Sequence, residues 1–261
     1  MSAHQIHADH LTNARTPGRG EWSSVLELIP PAFNLIPLRS MARQGVKLIS
    51  NAANTRRFSA VLTNTQIDLR AARVPIIVTE HQGAPQVSSA ANLTLPQRRW
   101  LGQLALELYF AQLFRSDTAI VDLGPSRLGV DVAGDVVWCP RPLYLQWDQQ
   151  FLQALRDLYA GFFLGDRDRF RRGVSNLGLG SSGTLLLRHL GDGNQRSVRF
   201  SITNLRVTLG EISALRSAED ARLHGNFVAL GFYLTSLHEL LESLDLRFDV
   251  RSAFMRTYRE G

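Results

Sequence analysis

The chain has 261 residues, 44% of them hydrophobic and 20% charged, a balance that excludes a disordered chain and supplies apolar material for one large domain or two small lobes. The formal charge is +6 with a sequence pI of about 10.2, and Lys47 is the only lysine, so arginine carries the basicity. Arginine suits carboxylate, phosphate, anionic lipid or nucleic acid, and the drift of a GC-rich genome produces the same excess. A single cysteine, Cys139, beside Val136, Val137 and Trp138, excludes an internal disulfide framework and reads as a core thiol in a reducing compartment.

Residues 1–20 are rich in Asn, Thr, Gly, Pro and His without periodicity, which predicts a disordered tail; it lacks a signal-peptide core, so a cytoplasmic location is expected. His4, His7 and His10 in that tail recur every third residue, a spacing able to collect a metal, but a floppy His-bearing tail is the favoured reading. In residues 21–50, Arg39, Arg43 and Lys47 fall on one helix face, either a solvated basic edge or a surface for peripheral membrane contact. VPIIVTE, residues 74–80, has a buried-strand pattern, followed by the loop HQGAP.

Thr94 and Gln97 have capping-box spacing ahead of a helix over residues 96–115. LGVDV and VVWCP around Ala133-Gly134-Asp135 predict a tight hairpin over 128–138. Asp148 caps a helix stopped by Gly165, and a short basic helix follows at 167–175. TLLLRHL and SVRFSIT, with Val198, Phe200 and Ile202 alternating, predict a second hairpin across GDGN. A helix over 218–244 opens with Ser217 and Asp220, and its seam of Leu223, Phe227, Leu230, Leu234, Leu237, Leu241 and Leu244 faces either a second chain or the protein's own core.

Few segments carry chemistry. GLGSSG spells G-x-G-x-x-G through Gly178, Gly180 and Gly183, but a basic helix precedes it and an extended segment is expected after it, so the strand and helix that a dinucleotide loop needs are missing. His189, His224 and His238 are scattered without a zinc pattern, and Ser181 and Ser182 lie in no nucleophile elbow. That leaves Asp122 in AIVDLGPSRLGVDVAGDVVWCPRP, which has the rhythm of a phosphotransferase loop.

Here the chain resembles the UbiB/AarF family of atypical kinases. VTEHQGAP is similar to that family's inter-lobe hinge V-T-E-Y-x-x-G-x-P, and NAANTRRF looks like its E-A-x-N-x-x-R-F segment. VDLGPSR overlies the catalytic loop A-D-P-H-P-G-N, and PRP at 140–142 falls on D-F-G. FLQALRDLYAGFFLGDRDRFRRGVSNLGL and SLHELLESLDLRFDV look like two of its C-terminal helical stretches. The resemblance spans roughly residues 51–180 and 236–250. It implies an α+β, mainly helical chain: a protein-kinase-like C-lobe over 86–261 behind a reduced N-terminal lobe and hinge over 21–85.

The departures bear on chemistry. Asp122 sits on the catalytic Asp, but Ile120 replaces the preceding His, Arg127 the metal-binding Asn and Pro140 the metal-binding Asp. Asn51 stands where an acid is expected, Lys47 has no evident Glu partner, and the phosphate loop and K-x-G-Q motif are missing. The expectation is a pseudokinase-like protein without metal or cofactor. Glu80, Asp122, Arg127 and Arg141 are then vestiges of a nucleotide pocket, and the role is to bind a protein partner or lipid, in a quinone or isoprenoid-lipid setting by resemblance. The rivals are an active phosphotransferase using Asp122 with Asp131 or Asp135, and an arginine-driven binder of anionic surfaces; no basic–aromatic interleaving supports specific nucleic-acid recognition.

Overall fold

The computed structural model describes residues 55–80, 92–191, 197–218 and 223–258. The tail at 1–20, the basic face at 39–47, the hinge loop HQGAP and residues 192–194 of the GDGN turn lie outside the described residues. The architecture is α+β and mainly helical, as expected. Helix α1 (Thr55–Ala71) leads to β1 (Ile76–Val78), and α2 (Leu95–Arg115) to the short strands β2 (Thr118–Ile120), β3 (Leu128–Val130), β4 (Val136–Trp138) and β5 (Tyr144–Gln146). Then come α3 (Gln149–Leu164), α4 (Arg167–Asn176), α5 (Gly183–Leu187), β6 (Val198–Arg199), α6 (Ile202–Ala218), α7 (Asn226–Ser243), β7 (Arg247–Phe248) and α8 (Val250–Thr257).

Helix α2 is the axis of the molecule. Its capping box forms as the spacing predicts, with the Thr94 side chain accepting from the Gln97 amide and the Gln97 side chain from the Thr94 amide. From Leu104 to Leu113 every residue is buried, and helices α1, α3, α7 and α8 pack against it. Its C-terminal carbonyls are closed by Arg156 of α3, whose Nε donates to Leu113 O at 2.6 Å and Nη2 to Ser116 O at 2.9 Å. Asp148 caps α3 through the Phe151 amide, and Gly165 ends it in the left-handed region at φ 75°. Helix α4 folds back closely on α3: a Cβ on Gly173 would lie 2.4 Å from the Leu158 nitrogen and one on Gly161 2.3 Å from the Phe170 nitrogen.

Among the described residues three small sheets edge this bundle. β4 lies between β1, its parallel neighbour, and β3, its antiparallel hairpin partner; β2 pairs antiparallel with β5, and β6 with β7. The β3–β4 turn closes through Gly134 at φ 91°, which accounts for a glycine there. Two glutamines finish open strand edges. Gln66 of α1 accepts from Val78 N–H and donates to Ile76 C=O, and Gln112 of α2 does the same for both groups of Ile120, each amide standing in for a missing strand.

Three expectations are corrected. TLLLRHL is not extended: Gly183–Leu187 is helical and Arg188–Leu190 a 3₁₀ turn, because Leu186, Leu187 and Leu190 have the spacing of one helix face and all are buried. Of SVRFSIT only Val198–Arg199 is strand, and it pairs with β7; Ile202 opens α6, whose Leu205, Thr208, Leu209 and Ile212 face inward. The helix expected over 218–244 starts at Asn226, Ser217 belongs to α6, and Asp220 lies outside the described residues. The α7 amide end is met instead by His224, whose Nδ1 accepts from Asn226 N–H at 3.2 Å. The leucine seam faces the protein's own core, with all seven members buried. Among the described residues no helix is long and apolar enough to cross a membrane.

Candidate functional site

Asp122 follows β2 directly, and its burial is a consequence of strand pairing. The Val121 amide continues the β2–β5 ladder by donating to Leu143 O, the Trp138 indole donates to Asp122 O at 2.8 Å, and the Leu123 amide donates to Ser236 Oγ of α7 at 2.6 Å. The backbone is thereby fixed from three sides and the side chain is left 4% exposed.

The carboxylate meets Arg141 in a fork. The Arg141 backbone amide donates to Oδ2 at 2.8 Å, its Nε to the same oxygen at 3.0 Å, and its Nη2 to Oδ1 at 3.1 Å. Arg127 approaches from the other side, with Nε 3.7 Å from Oδ2, too long for a hydrogen bond. Asp122 is therefore paired with Arg141, and Arg127 stands beside the pair. Arg127 is placed by the turn that its own amide makes to Gly124 O at 2.8 Å, and its carbonyl accepts from the Cys139 amide at 2.8 Å. The segments 122–127 and 139–143 are thus tied through both backbone and side chains.

Glu80 belongs elsewhere. Both its carboxylate oxygens accept from Ser59 Oγ of α1, at 2.8 and 3.0 Å, while its neighbour Thr79 reaches the β4 end through its amide to Trp138 O. Asp131 and Asp135 occupy the hairpin turn, where Asp131 Oδ1 accepts from the amides of Ala133 and Asp135 at 2.9 Å. That turn is at the opposite end of the hairpin from Arg127 and Cys139, about 10 Å away at strand rise. The two aspartates and Asp122 cannot share one ion.

Sequence reasoning missed Ser236 and Glu239, which α7 brings to this loop. Burial raises the Glu239 carboxyl above its ordinary range; Arg206 opposes that shift, Asp122 adds to it and Arg141 opposes it. No spacing within the seam helix distinguishes these positions, because their role depends on a partner in a distant segment. Cys139 is a buried thiol whose titration is raised by burial and opposed by Arg127, and its Sγ lies 3.5 Å from Thr79 O.

A magnesium ion, which the resemblance implies, does not fit this donor set. Magnesium wants an octahedron of oxygen ligands. Here both oxygens of the buried carboxylate accept from Arg141, and a second guanidinium stands beside them. Among the described residues no three His, Cys, Asp or Glu side chains gather as a metal group. In GLGSSG, Gly178 and Gly180 take positive φ of 66° and 53° in the turn after α4 and a Cβ on Gly183 would lie 2.4 Å from Val174 Cγ2, so the glycines serve turn and packing, and no strand precedes the loop. Compared with models of known protein families and with curated protein sequences, the chain has no match.

Proposed function

We propose that the chain is a pseudokinase-like binding protein, a kinase-type C-lobe that has exchanged phosphoryl transfer for a fixed internal ion pair. The observation carrying this reading is the fork between Asp122 and Arg141. The residue that the resemblance aligns with a catalytic aspartate has its carboxylate neutralised by a guanidinium from the segment aligned with the metal loop. Catalysis of this type depends on preorganised electrostatics around transferring phosphate. A carboxylate that accepts three hydrogen bonds from one arginine is organised around that arginine instead.

The partner class is a protein or an isoprenoid-type lipid, and the resemblance sets the role at a membrane face in quinone or related lipid metabolism. The test is twofold. Phosphate release from ATP with magnesium is expected at background, and ATP with magnesium is expected to leave the melting temperature unchanged, since a ligand selective for the folded state must raise it. Magnesium-dependent turnover that Asp122→Asn abolishes would overturn the reading in favour of an active phosphotransferase.

A further inference from the structure

Asp122 offers one negative charge to two guanidiniums. Arg141 takes it up through three hydrogen bonds. Arg127 is drawn close and left unsatisfied: its Nε stands 3.7 Å from Asp122 Oδ2, is buried and has no hydrogen-bond partner, and among the described residues its guanidinium donates to none. We propose that Arg127, with Arg141 beside it, forms a binding site for a phosphate group.

Charge and position both support the site. The Nε atoms of Arg127 and Arg141 lie 3.7 and 3.0 Å from the same carboxylate oxygen, so the two guanidiniums are neighbours gathered by one buried acid. The other acids nearby are engaged elsewhere: Glu239 is opposed chiefly by Arg206, and Glu242 accepts from the Ile202 amide of α6 at 3.2 Å. One positive charge is therefore in surplus over Asp122. The Arg127 and Arg141 side chains are 36% and 40% exposed, so a ligand can reach them from solvent. The loop also leaves room. Gly124 is buried, yet a Cβ on it would meet nothing nearer than Asp122 Oδ1 at 4.0 Å.

The two guanidiniums select the anion. Each presents a planar fork of N–H donors that matches the oxygens of carboxylate or phosphate. A carboxylate fills one fork, whereas a terminal phosphate, with more oxygens and more charge, can bridge two. Asp122 has already drawn both side chains into place, so a ligand has little ordering left to impose. Recognition of this kind needs neither magnesium nor the kinase resemblance, and it stands or falls separately from the reading above.

Binding is measured on the full chain at constant ionic strength without magnesium, which would compete for the phosphate oxygens. Inorganic pyrophosphate is titrated by calorimetry and by melting temperature, and vesicles of phosphatidylcholine with or without phosphatidic acid are tested by cosedimentation. Arg127→Gln leaves the Asp122–Arg141 fork intact and is expected to fold, while Arg171→Gln removes the same charge from the exposed face of α4. The expected result is a rise in melting temperature with pyrophosphate, with binding about tenfold weaker in Arg127→Gln and unchanged in Arg171→Gln. Binding to phosphatidic-acid vesicles but not to pyrophosphate, lost in Arg127→Gln, would assign the phosphate to a lipid headgroup and uphold the site. Absence of binding to both probes, or a loss in Arg127→Gln no greater than in Arg171→Gln, would overturn it.

Discussion

Replacing Asp122 by alanine tests the ion pair directly. Breaking a fully buried pair by removing one partner costs about 3–5 kcal/mol, and breaking an exposed one about 0–1 kcal/mol. This pair lies between the limits, because Asp122 is 4% exposed and the Arg141 side chain 40%. The guanidinium can turn to water when the carboxylate is gone. The Arg141 amide is fixed by the backbone and loses its acceptor, which adds about 1 kcal/mol. A total of about 2–3 kcal/mol is expected for Asp122→Ala.

The reverse change is milder. In Arg141→Ala the carboxylate keeps the backbone amide, and Arg127, already at 3.7 Å, can close on it, so about 1–2 kcal/mol is expected. Urea denaturation of the single and double variants, at an unchanged m-value, measures the coupling. It is expected at about 1–2 kcal/mol for Asp122 with Arg141 and below about 1 kcal/mol for Asp122 with Arg127. Coupling energies of zero in both cycles would refute the idea that charge locks the two loops, leaving Asp122 a backbone anchor.

Other consequences are equally measurable. Gln112→Leu removes both partners of Ile120 and the donor to Tyr233 OH in a dry interior, and is expected to cost about 2–4 kcal/mol by urea denaturation; Gln66→Leu, at a half-exposed edge, about 1 kcal/mol. Gly173→Ala places a methyl 2.4 Å from the Leu158 nitrogen, and since that contact is backbone, a loss of about 1–3 kcal/mol is expected, with a rise in melting temperature counting against the close α3–α4 approach. Burial holds His238 at about 4, below its ordinary 6.5, so the folded chain refuses a proton that the unfolded chain accepts. Stability is therefore present above pH 6.5 and lost as pH falls towards 4, by about 3 kcal/mol for His238, with His189 acting in the same direction. Glu107, Glu239 and Asp68, raised mainly by burial, act oppositely once pH falls into the carboxylate range, so the decline is clearest just below pH 6.5, and His238→Leu is expected to flatten it.

The elements legible in the sequence were those whose ends are set locally. Thr94 with Gln97, Asp148 with Gly165, and Asp131 with Gly134 each carry their boundary within a few residues. Helix α1 escaped notice although Phe58, Leu62, Thr65 and Leu69 form its buried face, because polar residues interrupt the apolar stripe. The false second hairpin came from the alternation of Val198, Phe200 and Ile202, too short to outweigh the helical face that begins at Ile202. β1–β4 and β2–β5 pairing was not legible, since each depends on segments meeting across intervening structure. The same division runs through the site: Asp122 and Arg141 flank one hairpin and could be linked on paper, whereas Ser236 lies 113 residues from the amide it accepts.

This dual anchoring decides how Asp122 must be probed. Its carbonyl is held by Trp138, the preceding Val121 amide by Leu143, and its side chain by Arg141, so alanine disturbs charge and loop together. Loss of a binding activity in Asp122→Ala would then reflect a loosened loop as readily as a lost contact. Asp122→Asn separates the two, because the amide oxygen can still accept from the Arg141 N–H while the charge is gone. If partner binding survives Asp122→Asn and falls in Asp122→Ala in proportion to lost stability, the carboxylate acts through the scaffold. If Asp122→Asn abolishes binding at unchanged stability, the charge itself faces the partner, and the Asp122–Arg141 fork must open for binding to occur.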